Sequence, residues 1–151
     1  MLGSMPAETA RLARTDAGLA SALAVSVMRL ARRLRQERGT DLSATQLATL
    51  GSIRRYGPLT IGALAGHEHV QPPSMTRTVQ CLLDLGMIRR TADPDDRRQV
   101  VVALSEDGEA LLDAERRRRD AWLARRLREL SPADRDLLRR AVPLLEGLTQ
   151  A

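Results

Sequence analysis

The chain is poor in several residue types on which other protein classes depend. One of its 151 residues is cysteine, Cys81, so no disulfide can form within a chain and an oxidising compartment has nothing to lock. Phenylalanine is absent, and Tyr56 and Trp122 are the only aromatic residues, which argues against the base-stacking surfaces of single-strand and RNA readers. No run of about 18 apolar residues occurs, and the N-terminus lacks a charged stretch followed by an apolar run and a cleavage site. A soluble, cytoplasmic protein is expected, with Met1 to Met5 as a flexible tail. No Ser-His-Asp arrangement, paired-carboxylate motif or phosphate-cradling glycine loop is found. An enzyme is therefore not expected, and no cofactor is implied.

What is present is charge of one chemical kind. All 24 basic residues are arginine, against 19 acidic ones, for a net charge of +5. This balance suits a polyanionic partner, and with so few aromatics duplex DNA is the better candidate. Apolar residues make up 43% of the chain, enough for one domain with a real core.

Helical spacing of Leu12, Leu19, Leu23, Val27, Leu30 and Leu34 predicts a long amphipathic first helix ended by Gly39. Ser43 with Gln46 then forms a capping box, and Leu42 with Leu47 a hydrophobic staple, for a second helix with the apolar face Leu47, Leu50 and Ile53. Gly57 and Pro58 stop it. Thr60 caps a short third helix running to about Gly66, with Leu59 facing Leu64, and His67 to Val70 make a turn. A fourth helix starts at Pro72-Pro73, with Gln71 as a mediocre cap. Its stripe Met75, Val79 and Leu82 is expected inside, with Ser74, Arg77, Gln80 and Cys81 outside, until Gly86. Met87–Ala92 and Gln99–Leu104 predict a β-hairpin with a charged tip between them. Ser105 caps a helix to about Leu130 that carries Leu111, Leu112, Trp122, Leu123 and Leu127, and Ser131 caps a last helix. Pro143 should kink or divide that last helix.

Helix, short helix, turn, helix and hairpin is the winged helix-turn-helix plan, in which the second helix of the pair enters the major groove and a positive wing lies beside it. The exposed start of that helix offers Gln71, Ser74, Thr76, Arg77 and Gln80. Arg77 has the fork to bridge guanine O6 and N7 or to grip phosphate, and the short polar groups suit bases or backbone. The wing offers Asp96, Arg97 and Arg98.

The sequence closely resembles the multiple-antibiotic-resistance regulator (MarR) family over nearly its whole length. The resemblance rests on Leu59 to Ala65, on Pro72-Pro73-Ser74-Met75-Thr76-Arg77, on Leu82 to Gly86, and above all on Asp96-Arg97-Arg98 followed by Leu104-Ser105 and Gly108. It implies a mainly α fold with a small β-hairpin wing, a winged helix-turn-helix lobe over about 43–104, and dimerisation helices over about 8–38 and 105–149, all in a single domain over 1–151. It also implies a homodimer acting on double-stranded DNA as a transcriptional regulator, a wing arginine in the minor groove, and a small-molecule effector of unspecified identity. On this reading Asp96 orients Arg98 while Arg97 reaches phosphate or the groove floor. A sequence-tolerant architectural DNA-binding protein is the alternative.

Three clusters have plainer readings. Arg116 to Arg119 is either a nucleic-acid patch or, preferably, the solvated and salt-bridged face of the fifth helix, since Asp113, Glu115 and Asp120 surround it. His67, Glu68 and His69 read as a turn that holds histidines in preference to a metal site. Cys81 reads as a small surface or boundary residue in preference to a redox switch.

Overall fold

The computed structural model describes residues 14–149. In order these form α1 (Asp16–Gln36), α2 (Ala44–Tyr56), α3 (Ile61–His67), α4 (Pro72–Asp84), β1 (Ile88–Ala92), β2 (Val100–Leu104), α5 (Glu106–Arg128) and α6 (Pro132–Thr149). The chain divides into two compact units, Gly39–Arg117 and a second one made of the segments up to Arg38 and from Arg118 on.

In the Gly39–Arg117 unit, local sequence sets each helix start. Ser43 accepts from the Gln46 amide and the Gln46 side chain accepts from the Ser43 amide, completing the capping box of α2. Thr60 accepts from the Ala63 amide at 3.1 Å to start α3. The ends of α3 and α4 share one motif. Met87 N donates to Leu82 O and Gly86 N to Leu83 O around Gly86, whose φ is +71°. Val70 N donates to Ala65 O and His69 N to Gly66 O around His69, at φ +52°. Both are Schellman caps with a left-handed residue just past the helix, and the second uses a histidine where glycine is the unstrained choice.

The inward side chains of these helices meet the hairpin. Leu50, Ile53, Leu64, Ala65, Met75, Val79 and Leu82 form one core with Ile88, Val102 and Leu112. Each fully buried Leu or Met here contributes about 1.5–3 kcal/mol through removal of apolar surface from water. The strands pair antiparallel, Ile88 opposite Leu104 through Ala92 opposite Val100. Leu59, expected only as a staple, also exchanges two backbone hydrogen bonds with Val102 at 3.1 and 2.8 Å, which ties the chain before α3 to the hairpin.

The junction from wing to α5 is close-packed. Ser105 Oγ donates to Gly86 O and accepts from the Gly108 amide at 3.1 Å. A Cβ at position 108 would stand 2.1 Å from the Met87 carbonyl oxygen. That contact is the physical content of the Leu-Ser-x-x-Gly pattern.

In the second unit, α1 begins at Asp16, with Thr15 as its cap accepting from the Gly18 amide. The expected start near residue 8, together with Leu12 and the Met1 to Met5 tail, lies outside the described residues. Trp122 of α5 has two guanidinium groups over its ring, Arg33 at 4.7 Å and Arg126 at 5.6 Å from its centre. α6 is not divided at Pro143, as the sequence reading allows, but runs on through it. Only the carbonyl one turn back loses its donor, and in a helix with no buried residue water can satisfy it.

The arginine run at the middle of α5 is exposed, as expected, but not salt-bridged. Among the described residues Arg116 to Arg119 have no ion-pair partner. Two of the three neighbouring acids are taken elsewhere: Asp113 pairs with Arg54 of α2 at 3.0 Å, and Glu115 is buried, accepting from the Gly39 amide at 3.0 Å, while Asp120 is exposed with no ion-pair partner among the described residues. For Asp113 and Glu115 tertiary partners thus outcompete the helical i, i+4 neighbours.

Candidate nucleic-acid interface

α4 presents two faces. Met75, Val79 and Leu82 are buried, as the spacing predicts, and Ser74, Thr76, Arg77 and Gln80 are exposed on the other side. Cys81 departs from that expectation. It is half-buried and its sulfur accepts from Gln46 Nε2 at 3.0 Å, so it faces α2 and not the outside.

The helix starts on Gln71, whose side chain makes no capping bond. Pro72 and Pro73 have no N–H, and the Ser74 and Met75 amides both donate to the Gln71 carbonyl. The first turn therefore has few free backbone donors, and recognition there falls to side chains. Thr76 Oγ1 donates to the Pro72 carbonyl at 3.0 Å, which leaves its lone pairs and methyl outward. Arg77 is exposed and has no ion-pair partner among the described residues. Gln80 is committed at both ends, donating to Asp84 at 2.8 Å and accepting from Arg90 at 3.4 Å. Arg90 was missed in the sequence, because nothing in a strand of five residues marks which arginine reaches a helix.

The wing tip is built by two aspartates. Asp93 Oδ1 accepts from the amides of Asp95 and Asp96 at 2.7 and 3.2 Å, and its own N–H donates to Gln99 O. Asp96 Oδ1 accepts from the backbone N–H of Arg98 at 3.1 Å, while Oδ2 accepts from the Gln99 side-chain Nε2 at 3.3 Å. Asp96 thus bonds the backbone of Arg98, and no ion pair joins it to the Arg98 guanidinium. Arg97 and Arg98 are both exposed on this shaped loop. All eight sequence-predicted residues are exposed, and none of them lines a crevice of about 210 Å³ in this unit.

The plainer readings of the remaining clusters also have geometry. The His67 ring stacks on Tyr56 at 4.1 Å, and Glu68 accepts from the Ser52 hydroxyl. Among the described residues no three His, Cys, Asp or Glu side chains are grouped to hold a metal ion.

Comparison with known proteins settles the class. The MarR family model matches residues 42–100, the stretch from α2 through the wing tip. An HTH-type transcriptional regulator of Mycobacterium tuberculosis is 46% identical over 135 residues, 89% of this chain and 94% of that protein. This chain belongs to the MarR family. It is accordingly a DNA-binding transcriptional regulator and not an enzyme. The structure of a transcriptional regulator protein from Pseudomonas aeruginosa has the same winged helix architecture, with a TM-score of 0.82 and 35% identity over 91% of this chain and 98% of that one. The transcriptional repressor NicR of Pseudomonas putida is 36% identical over 74 residues, 49% of this MarR-family chain and 47% of the repressor.

Proposed function

We propose that the protein is an effector-responsive repressor that acts in the cytoplasm as a homodimer on a palindromic operator. Each protomer would read one half-site, with Gln71, Ser74, Thr76 and Arg77 of α4 in the major groove and Arg97 and Arg98 of the wing in or beside the minor groove. The observation that carries this reading is the wing tip: Asp93 and Asp96 spend their carboxylates on backbone N–H groups and on the Gln99 side chain, which presents two adjacent arginines without neutralising them. An arginine held this way is suited to the enhanced negative potential of a narrow minor groove. Repression is supported by the name of the Pseudomonas putida relative. Dimerisation is supported by α1 and α6, which have no buried residue and leave Met28, Leu144 and Leu148 61, 71 and 67% exposed.

The test is binding by fluorescence anisotropy to the palindrome nearest the protein's own gene and to a scrambled duplex, together with a footprint. Two protected half-sites centred about 10 base pairs apart are expected. Equal affinity for both duplexes would replace this reading with a sequence-tolerant architectural one.

A further inference from the structure

Side chains along β1 alternate between the two faces of the wing. Ile88 is buried and marks the face that meets the core, and Arg90, two residues on, is on that same face opposite the buried Val102. The head of Arg90 emerges beside α4, where Nη2 donates to Gln80 Oε1 at 3.4 Å. Gln80 Nε2 in turn donates to Asp84 Oδ1, one helical turn on, at 2.8 Å. An amide donates at one end and accepts at the other, and here each end meets a group of opposite character. The three side chains are exposed, so the row adds little to stability. What it sets is direction, between the helix and the hairpin that carry the candidate DNA contacts.

We propose that Gln80 is a positioning residue and not a base reader, and that it holds Arg90 as an additional phosphate contact at the seam between α4 and the wing. A glutamine reads adenine through both ends of its amide, and both ends are engaged here. Arg90 has no carboxylate within ion-pair distance among the described residues. Its charge is therefore steered by a neutral group and not cancelled by an acid. The proposal rests on the reading of α4 and the wing as the DNA-binding face.

The experiment measures affinity for operator and scrambled duplex across a range of salt for wild type, Gln80→Leu, Arg90→Ala and the double variant, with thermal unfolding alongside. Arg90→Ala should weaken both duplexes alike, on the order of tenfold, and reduce the salt slope by about 1 per protomer, or about 2 for the dimer on its duplex. Gln80→Leu should weaken both by a smaller factor, leave the base preference as it was, and have no further effect once Arg90 is gone. Arg90→Gln replaces Arg90→Ala if the latter does not fold. A changed base preference in Gln80→Leu would overturn the positioning role, and unchanged affinity and slope in Arg90→Ala would overturn the phosphate contact. Additive losses in the double variant would overturn the coupling. Equal wild-type affinity for the two duplexes would sink the operator reading alone, because the coupling is read on either one.

Discussion

Arg98 and Asp96 have separable tasks at the wing tip, and substitutions can tell them apart. Arg98→Ala removes the side chain but keeps the backbone N–H that Asp96 accepts from, so folding should be unchanged while operator affinity falls by about 1–3 kcal/mol per half-site. Asp96→Asn keeps one acceptor oxygen for that N–H and should retain most of the binding, whereas Asp96→Ala loosens the loop and should imitate Arg98→Ala in part. Anisotropy titration with thermal unfolding as the control reads all three, and wild-type affinity in Arg98→Ala would exclude the wing as a reader. Gly108 is a case where the pattern was legible and its cause was not. The Leu-Ser-x-x-Gly spacing is plain in the sequence, but only the packed junction shows a carbonyl oxygen 2.1 Å from where a Cβ would go. Gly108→Ala should destabilise by about 2–3 kcal/mol, as overpacking against backbone does. An unchanged melting temperature would contradict that contact.

Among the elements, what could be read in advance was what is decided within a few residues. The Ser43 capping box, the Thr60 cap, the buried stripe of α4 and the pairing of the hairpin all follow from spacing and local hydrogen bonding. What could not be read was decided at a distance: Glu115 turning in to Gly39, Asp113 choosing Arg54, Gln80 taken by Arg90, and Leu59 joining Val102. Pro143 allows a kink or a division by local rules, and of these two α6 shows no division. The paired Schellman caps allow a sharper test. His69 adopts a conformation that costs an L-residue about 1–2 kcal/mol, and Gly86 fills the equivalent place without that cost. His69→Gly should therefore stabilise the protein, by about 1 kcal/mol once the greater freedom of glycine in the unfolded chain is subtracted. Gly86→Ala should destabilise it. Chemical denaturation of the two variants measures both signs, and a destabilised His69→Gly would mean that the histidine side chain contributes more than its backbone costs.

For the whole molecule, the difference between the two units is one of apolar burial. The Gly39–Arg117 unit contains a closed core, while α1 and α6 have no buried residue. If the exposed leucines of α6 are the surface of the proposed homodimer, Leu144→Arg with Leu148→Arg should shift the protein to monomer in sedimentation and weaken operator binding, with the Gly39–Arg117 unit still folded. A dimer of unchanged stability would assign those leucines elsewhere. The scarcity of aromatics then has a practical side. Trp122, the single tryptophan, belongs to the unit of the flanking segments, where two guanidinium groups lie against it, and Tyr56, the single tyrosine, belongs to the other unit, stacked on His67. Each half of the protein thus carries one natural chromophore of its own. Indole fluorescence excited at its red edge, where tyrosine is silent, follows one unit, and second-derivative absorbance, which separates the tyrosine bands from the overlapping indole ones, weighs the other. Two unfolding curves that coincide would describe a molecule that melts as one body, and two that part would give the order in which its halves come undone, without a label attached to either.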